Sequence, residues 1–278
     1  MSETFQHTGS FKFRAAFNLA GNVAQPHIIA ASSGNFGQAL ACACALFAKR
    51  CTVVMPASAA STKVEAVKAY GGTVELIDTR QVSREQRVAE LAALDPQAFV
   101  ASAYDDELVI EGNAGLGREL AALDPPLDAI IVPVGGGGLA AGVARGLRTA
   151  GKSWPLFGAE PALANDAARS LRCGRLCSLE AEPQTIADGA RVRSLGRRTW
   201  PVLREELVSI VEASEDDIKS AVRLLFSLAN LKSEPTGALA VAALLAQPDK
   251  FAAQRVCCIV SGGNVDPDLY ARVLLAGT

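Results

Sequence analysis

Short apolar runs alternate with stretches of helical periodicity along almost the whole chain, the pattern of a parallel sheet covered by helices on both faces. The apolar runs predict strands over 27–31, 51–55, 73–77, 99–102, 129–134, 156–159 and 255–260. Between them, apolar positions three and four residues apart predict helices over 37–48, 62–70, 85–94, 112–123, 139–150, 215–228 and 237–245. Ser214, with Asp217 three residues on, marks a helix start. No repeat of fixed period, low-complexity stretch or Pro/Gly/Ser linker divides the sequence.

Composition then narrows the kind of partner. Half of the 278 residues are apolar, 20% are charged and the formal net charge is −2, which suits one large or two small globular domains. There is no Lys/Arg block of the kind that nucleic acid or an anionic membrane attracts. The longest apolar runs, 39–48 and 238–246, are too short for a membrane span. The opening Met1-Ser-Glu-Thr-Phe-Gln-His lacks the basic start and apolar segment of a signal peptide. A cytoplasmic protein with a small-molecule partner is expected. The seven cysteines, among them Cys42, Cys44, Cys257 and Cys258 in apolar stretches, read as reduced, buried thiols. Cys173 and Cys177 lack a second pair to complete a zinc site.

The loops after the strands carry the chemistry. Ser32-Ser33-Gly34-Asn35-Phe36-Gly37 follows the first strand, Gly135-Gly136-Gly137-Gly138 the fifth and Ser261-Gly262-Gly263-Asn264 the last. Ligands of open α/β sheets bind at the carboxyl ends of strands, so three such loops point to a composite site. A tetraglycine stretch opening a helix lets backbone N–H groups approach a phosphate. Ser-Ser-Gly-Asn offers hydroxyls and amides to a carboxylate, or its serines cap the helix that follows. For the glycine loop, two other readings stand: a tight structural turn, or a loose dinucleotide fingerprint with Ala140 in place of its last glycine and Glu160 as the ribose acid.

Six motifs occur in order: Thr8-Gly9-Ser10-Phe11-Lys12-Phe13-Arg14, Ser32 to Asn35, Gly135 to Leu139, Thr185-Ile186-Ala187-Asp188-Gly189, Glu234-Pro235-Thr236-Gly237 and Ser261 to Asn264. Together, over essentially the entire chain, they resemble the serine/threonine dehydratase and serine racemase group of the fold-type II (tryptophan synthase β-like) pyridoxal-phosphate enzymes. The resemblance implies an α/β fold of two open twisted, mostly parallel sheets flanked by helices. It places a small domain at 27–103 within a larger pyridoxal-phosphate-binding domain of 1–26 and 104–278, with the cofactor between them and a homodimer as the assembly.

Carried over residue by residue, the resemblance makes Lys12 the lysine that bonds the pyridoxal 5'-phosphate aldehyde and moves the α-proton. Gly135, Gly136, Gly137, Gly138 and Leu139 match the phosphate cup, Asn35 the partner of the phenolic oxygen, and Ser261 the partner of the pyridine nitrogen. A hydroxyl at Ser261 leaves the ring a weaker electron sink than a carboxylate would, which favours β-elimination over transamination. Ser32, Ser33 and Asn35 match the loop that receives the substrate carboxylate, and Ser33 the second acid/base. Glu160, the carbonyl of Ala164, and Asp166 match a divalent-cation site for Mg²⁺, Mn²⁺ or Ca²⁺.

Two departures stand out. Phe36 occupies a position where many relatives carry His, and relatives have a helix and a strand before the lysine motif. The expected activity is elimination of water from a small hydroxy amino acid such as serine or threonine, giving a 2-oxo acid and ammonia. The alternatives are serine racemase, 3-hydroxyaspartate dehydratase, a catalytically impaired binding or regulatory protein on this scaffold, or a nicotinamide oxidoreductase.

Overall fold

A computed structural model describes residues 1–276. Contacts divide the chain into two units, Lys12–Gly112 and Met1–Phe11 with Asn113–Thr278. The first unit holds a four-stranded parallel sheet made of β1 (His27–Ala31), β2 (Arg50–Pro56), β3 (Thr73–Ile77) and β4 (Ala98–Ala101) in the order β3-β2-β1-β4. Its helices are α1 (Lys12–Asn22), α2 (Asn35–Leu46), α3 (Ser61–Ala69), α4 (Arg84–Leu94) and the first turns of α5 (Glu107–Ala121).

Successive side chains of a strand point to opposite faces, and β1 shows why its sequence is apolar throughout. Ile28 and Ala30 join a core with Leu19, Phe36, Leu40, Val53 and Met55 on one face. Ile29 packs with Val54, Ile77 and Val88 on the other. The unit is longer than 27–103 at both ends, because α1 packs along α2 and Asn18 Nδ2 donates to the Leu108 carbonyl at 2.7 Å.

The second unit holds β5 (Ala129–Pro133), β6 (Leu156–Pro161), β7 (Leu207–Ala213) and β8 (Val256–Cys258) in the order β7-β6-β5-β8, again with every pairing parallel. Its further helices are α6 (Gly138–Thr149), α7 (Asp166–Cys173), α8 (Thr199–Glu206), α9 (Glu215–Ala229), α10 (Leu239–Ala246) and α11 (Pro267–Leu275). The wholly apolar α10 lies against β5, β6 and β7. Helix α9 opens with the expected capping box, in which the Ser214 hydroxyl accepts from the Asp217 N–H and the Asp217 carboxylate from the Ser214 N–H. Residues 1–3 continue the sheet edge beyond β8: Val260 N–H donates to the Met1 carbonyl and Glu3 N–H to that of Val260. Among the described residues no helix is long and apolar enough to cross a membrane.

The predicted strands at 27–31 and 73–77 match the observed ones, and the others fall within a few residues of theirs. Strand β7 was not predicted. It is an edge strand that pairs only with β6, and its half-exposed residues blur the apolar run. Helices α1, α7, α8 and α11 also lie outside the predicted set.

The later turns of α5 cross α6 at Gly117 and Gly146, where a methyl group on either residue would overlap a carbonyl oxygen of the other helix, Val143 or Ala114. Gly146→Ala gains up to about 1 kcal/mol of helix propensity, but overpacking against rigid backbone costs about 1–3 kcal/mol. Because the added carbon would lie 2.2 Å from the Ala114 carbonyl oxygen, the cost falls at the upper end of that range and a net loss of about 2 kcal/mol is expected in chemical denaturation. An unchanged midpoint would mean that the two helices part freely.

Candidate active site

In the Lys12–Gly112 unit the site residues come from two short stretches. Lys12 is the first residue of α1 and is half-buried; its Nζ donates to the Ala103 carbonyl at 2.7 Å and lies 5.8 Å from the centre of the Phe36 ring. The apolar Phe36, itself buried, is therefore a neighbour of the lysine amine. Ser32, Ser33 and Asn35 follow the carboxyl end of β1, and Asn35 opens α2. Ser32 acts as a cap: its hydroxyl accepts the N–H of Gly37 at 3.0 Å, and its own N–H donates to the Val54 carbonyl. The Gly34 N–H also donates to that hydroxyl at 3.4 Å, which leaves the hydroxyl its proton to offer a ligand. Ser33 and Asn35 are half-buried on the same turn.

In the second unit, four of the motifs and the opening residues of the first, up to Phe11, meet at the carboxyl ends of β5 and β8. The Phe11 N–H donates to the Ser261 carbonyl at 3.0 Å, and Ser10 bridges to Gly262. Glu234 N–H donates to the Gly262 carbonyl at 3.1 Å, and Gly189 N–H to the Thr236 hydroxyl at 2.9 Å. A side chain on Gly135 would lie 3.0 Å from the Gly189 carbonyl oxygen. Ser261 is buried within this cluster.

The glycine loop Gly135–Gly138 leads into α6. Gly137 has φ +90°, a left-handed conformation, and a Cβ there would lie 2.7 Å from Leu203 and 2.8 Å from the Thr199 hydroxyl; only glycine fits. The Gly136 carbonyl accepts the Thr199 hydroxyl at 2.8 Å and the Gly196 N–H at 3.2 Å. The Gly138 carbonyl accepts Asn113 Nδ2 at 3.1 Å. The first N–H groups of a helix have no partner within it and carry partial positive charge, which suits a helix start of this form to an anion. Sequence reading passed over Thr199 and Asn113, since a buried Thr or Asn has no local pattern that shows which carbonyl it will hold.

Glu160 and Asp166 form a separate buried pair, each 1% exposed. Glu160, at the end of β6, accepts the N–H groups of Ala167 and Ala168 at 2.9 Å each, capping α7. Neither carboxylate oxygen of Asp166 makes a well-formed hydrogen bond. Burial pushes Asp166 up to about 7, against partial relief from the nearby N–H groups of Asp166 and Leu195. Burial first, and then the negative charge of Asp166, holds Glu160 well above the usual carboxylate range. Ala164 is buried just before α7. Among the described residues no cluster of three or more His, Cys, Asp or Glu side chains suits a metal.

An α/β scaffold with a glycine-lined helix start among the loops at its strand ends is of a class that suits phosphorylated ligands. Residues 2–262 match the family model of the pyridoxal-phosphate dependent enzymes, and the chain belongs to that family. It is 38% identical over 276 residues to an L-threo-3-hydroxyaspartate ammonia-lyase of a Pseudomonas species, covering 98% of this chain and 86% of that protein. It is 33% identical to a serine racemase of Schizosaccharomyces pombe, covering 98% and 85%. Among solved structures, a threonine deaminase of T.th. superposes with a TM-score of 0.88 at 39% identity, covering 95% and 86%. The fold is thus fold-type II, and the chain is an enzyme of the ammonia-lyase and racemase group. The nicotinamide reading is corrected: Glu160, its ribose acid, has both carboxylate oxygens on the amides of α7.

Asp166 gives a pH test. With chelator present, below pH 3.8 both folded and unfolded states hold its proton, whereas between 3.8 and about 7 only the folded state does. Stability is therefore expected to fall as pH rises through that window, with the raised Glu160 adding to the fall, and Asp166→Asn should make the slope shallower. Urea denaturation of both proteins from pH 4 to pH 8 measures this; parallel curves would remove Asp166 as the cause.

Proposed function

We propose that the chain eliminates water from a small 3-hydroxy amino acid, with 3-hydroxyaspartate ahead of serine and threonine as substrate, giving a 2-oxo acid and ammonia. The glycine cradle at the start of α6 carries the assignment of the cofactor phosphate. The order of preference follows the 38% identity to a 3-hydroxyaspartate ammonia-lyase; serine or threonine, the first expectation from sequence, becomes the second choice.

When bound, pyridoxal phosphate draws electron density from the substrate Cα and so acidifies its proton. On this reading Gly135, Gly136, Gly137, Gly138 and Leu139 hold the phosphate, Asn35 the phenolic oxygen and Ser261 the ring nitrogen. Lys12 Nζ bonds the cofactor and, once displaced by substrate, accepts the Cα proton. The hydroxyl proton of Ser32, with Ser33 and Asn35, meets the α-carboxylate. The Ser33 hydroxyl stands as the second proton carrier, which is what a racemase needs, and the 33% identity to a serine racemase makes racemisation the second reading. Phe36 beside the lysine keeps water from the amine.

Glu160, the Ala164 carbonyl and Asp166 fit a hard divalent cation, because the Asp166 carboxylate is buried without a hydrogen-bond donor of good geometry. Such an ion would neutralise the pair and brace α7.

Borohydride reduction of the holoenzyme is expected to fix the cofactor on Lys12 in peptide mapping. Lys12→Ala is expected to lose 2-oxo acid formation by at least about 10²–10⁴-fold. Comparing 3-hydroxyaspartate, serine and threonine at equal concentration, with chiral analysis of recovered substrate, ranks the readings; label on Lys63 or Lys68, or inversion without 2-oxo acid, would overturn the proposal. Separately, Mg²⁺ added to chelated protein should raise Tm, as any ligand of the folded state does, and Asp166→Ala should abolish that rise. A full response in Asp166→Ala would place the ion elsewhere.

A further inference from the structure

Of the seven cysteines, Cys42 and Cys44 lie in α2, Cys51 in β2, and Cys257 and Cys258 in β8. Cys173 and Cys177 do not follow the expectation of buried thiols. Cys173 is exposed and Cys177 half-buried, and their Sγ atoms are 3.1 Å apart.

We propose that Cys173 and Cys177 are a thiol–disulfide exchange site, closed by a low-molecular-weight disulfide and reopened by thiols. The local backbone already holds the geometry. Cys173 is the last residue of α7, and Gly174 turns the chain in a left-handed conformation, φ +70°. The Arg175 carbonyl accepts from Cys173 Sγ at 3.4 Å and from Cys177 Sγ at 3.6 Å. The Cys177 N–H donates to the hydroxyl of the buried Ser170 at 2.8 Å, and that hydroxyl donates to the Asp166 carbonyl one turn back. The return of the chain onto α7 is thus fixed without a covalent bond. An S–S bond measures about 2 Å, so the sulfurs need to close by only about 1 Å.

The two thiols are not equivalent. Hydrogen bonding from Cys177 and the Arg175 backbone, with the Arg175 charge nearby, pulls the Cys173 thiol below its usual range, while Cys177 is raised by its neighbour. Cys173 is the attacking thiolate: its sulfur bonds one sulfur of the small disulfide RSSR and expels RS⁻. Cys177 then gives up its proton and attacks Cys173 Sγ, expelling a second RS⁻. The two cysteines lose two electrons and two protons, and RSSR is reduced to two RSH. The ring closed is only five residues long, which constrains the unfolded chain little; the bond is therefore weakly stabilised and readily reversed. By contrast Cys44 and Cys51 are buried, and burial raises Cys258 to about 12, so solvent-borne disulfides do not reach a thiolate there.

The full-length protein is equilibrated with equimolar glutathione and glutathione disulfide, acid-quenched, unfolded, alkylated and mapped by mass spectrometry. Expected are two fewer alkylated thiols than the reduced protein shows, a peptide linking Cys173 to Cys177, and full reversal by excess dithiothreitol. Cys177→Ser should trap a glutathione adduct on Cys173, severalfold more than Cys173→Ser traps on Cys177. Retention of all seven free thiols, or an adduct formed preferentially at Cys42, would overturn the proposal.

Discussion

A peptide unit points its carbonyl and its N–H in opposite directions, and the glycine loop before α6 depends on this. Thr199 and Gly196 hold the Gly136 carbonyl, and Asn113 holds that of Gly138. With those oxygens occupied, the N–H groups of Gly137 and Leu139 are turned the other way. The left-handed backbone at Gly137 lets the chain pass directly from β5 into α6 with this polarity. A helix start of this kind offers positive potential without a single charged side chain. The chain's net charge of −2 therefore says little about its capacity for a phosphorylated ligand.

The carboxylates at Glu160 and Asp166 show the same economy in reverse. Glu160 is turned inward to the amides of α7, a use that its sequence position did not announce. Its neighbour Asp166 is left with desolvation and little compensation. Two acids six residues apart are commonplace on a surface; only their burial distinguishes this pair.

Much of the scaffold was legible because strands buried on both faces are apolar at every position, as Ile28, Ile29 and Ala30 are. The same rule fails for β7, whose outer edge has no neighbouring strand among the described residues. Lys12, the Ser32–Asn35 loop and the glycine loop were legible as ordered motifs, since glycine and small polar residues were demanded at fixed places. Capping by Ser32 was one of the readings that its loop allowed, whereas the Ala103 carbonyl beside the lysine and the roles of Thr199 and Asn113 were not legible, because each joins residues far apart in sequence. The approach of Cys173 and Cys177 depends on a local turn set by Gly174 and Ser170, which spacing alone does not specify.

Residues 1–3 bond to Val260, and Gly9 and Phe11 to Gly263 and Ser261. During synthesis residues 1–11 are made about 250 residues ahead of their hydrogen-bonding partners. The intervening unit, Lys12–Gly112, is contiguous and has all its partners long before then, so it can condense while translation continues. The second unit must wait for a closure spanning more than 250 residues, the kind of non-local contact that slows folding. The segment leading directly into Lys12 is consequently locked in place only once residues 260–263 have been made.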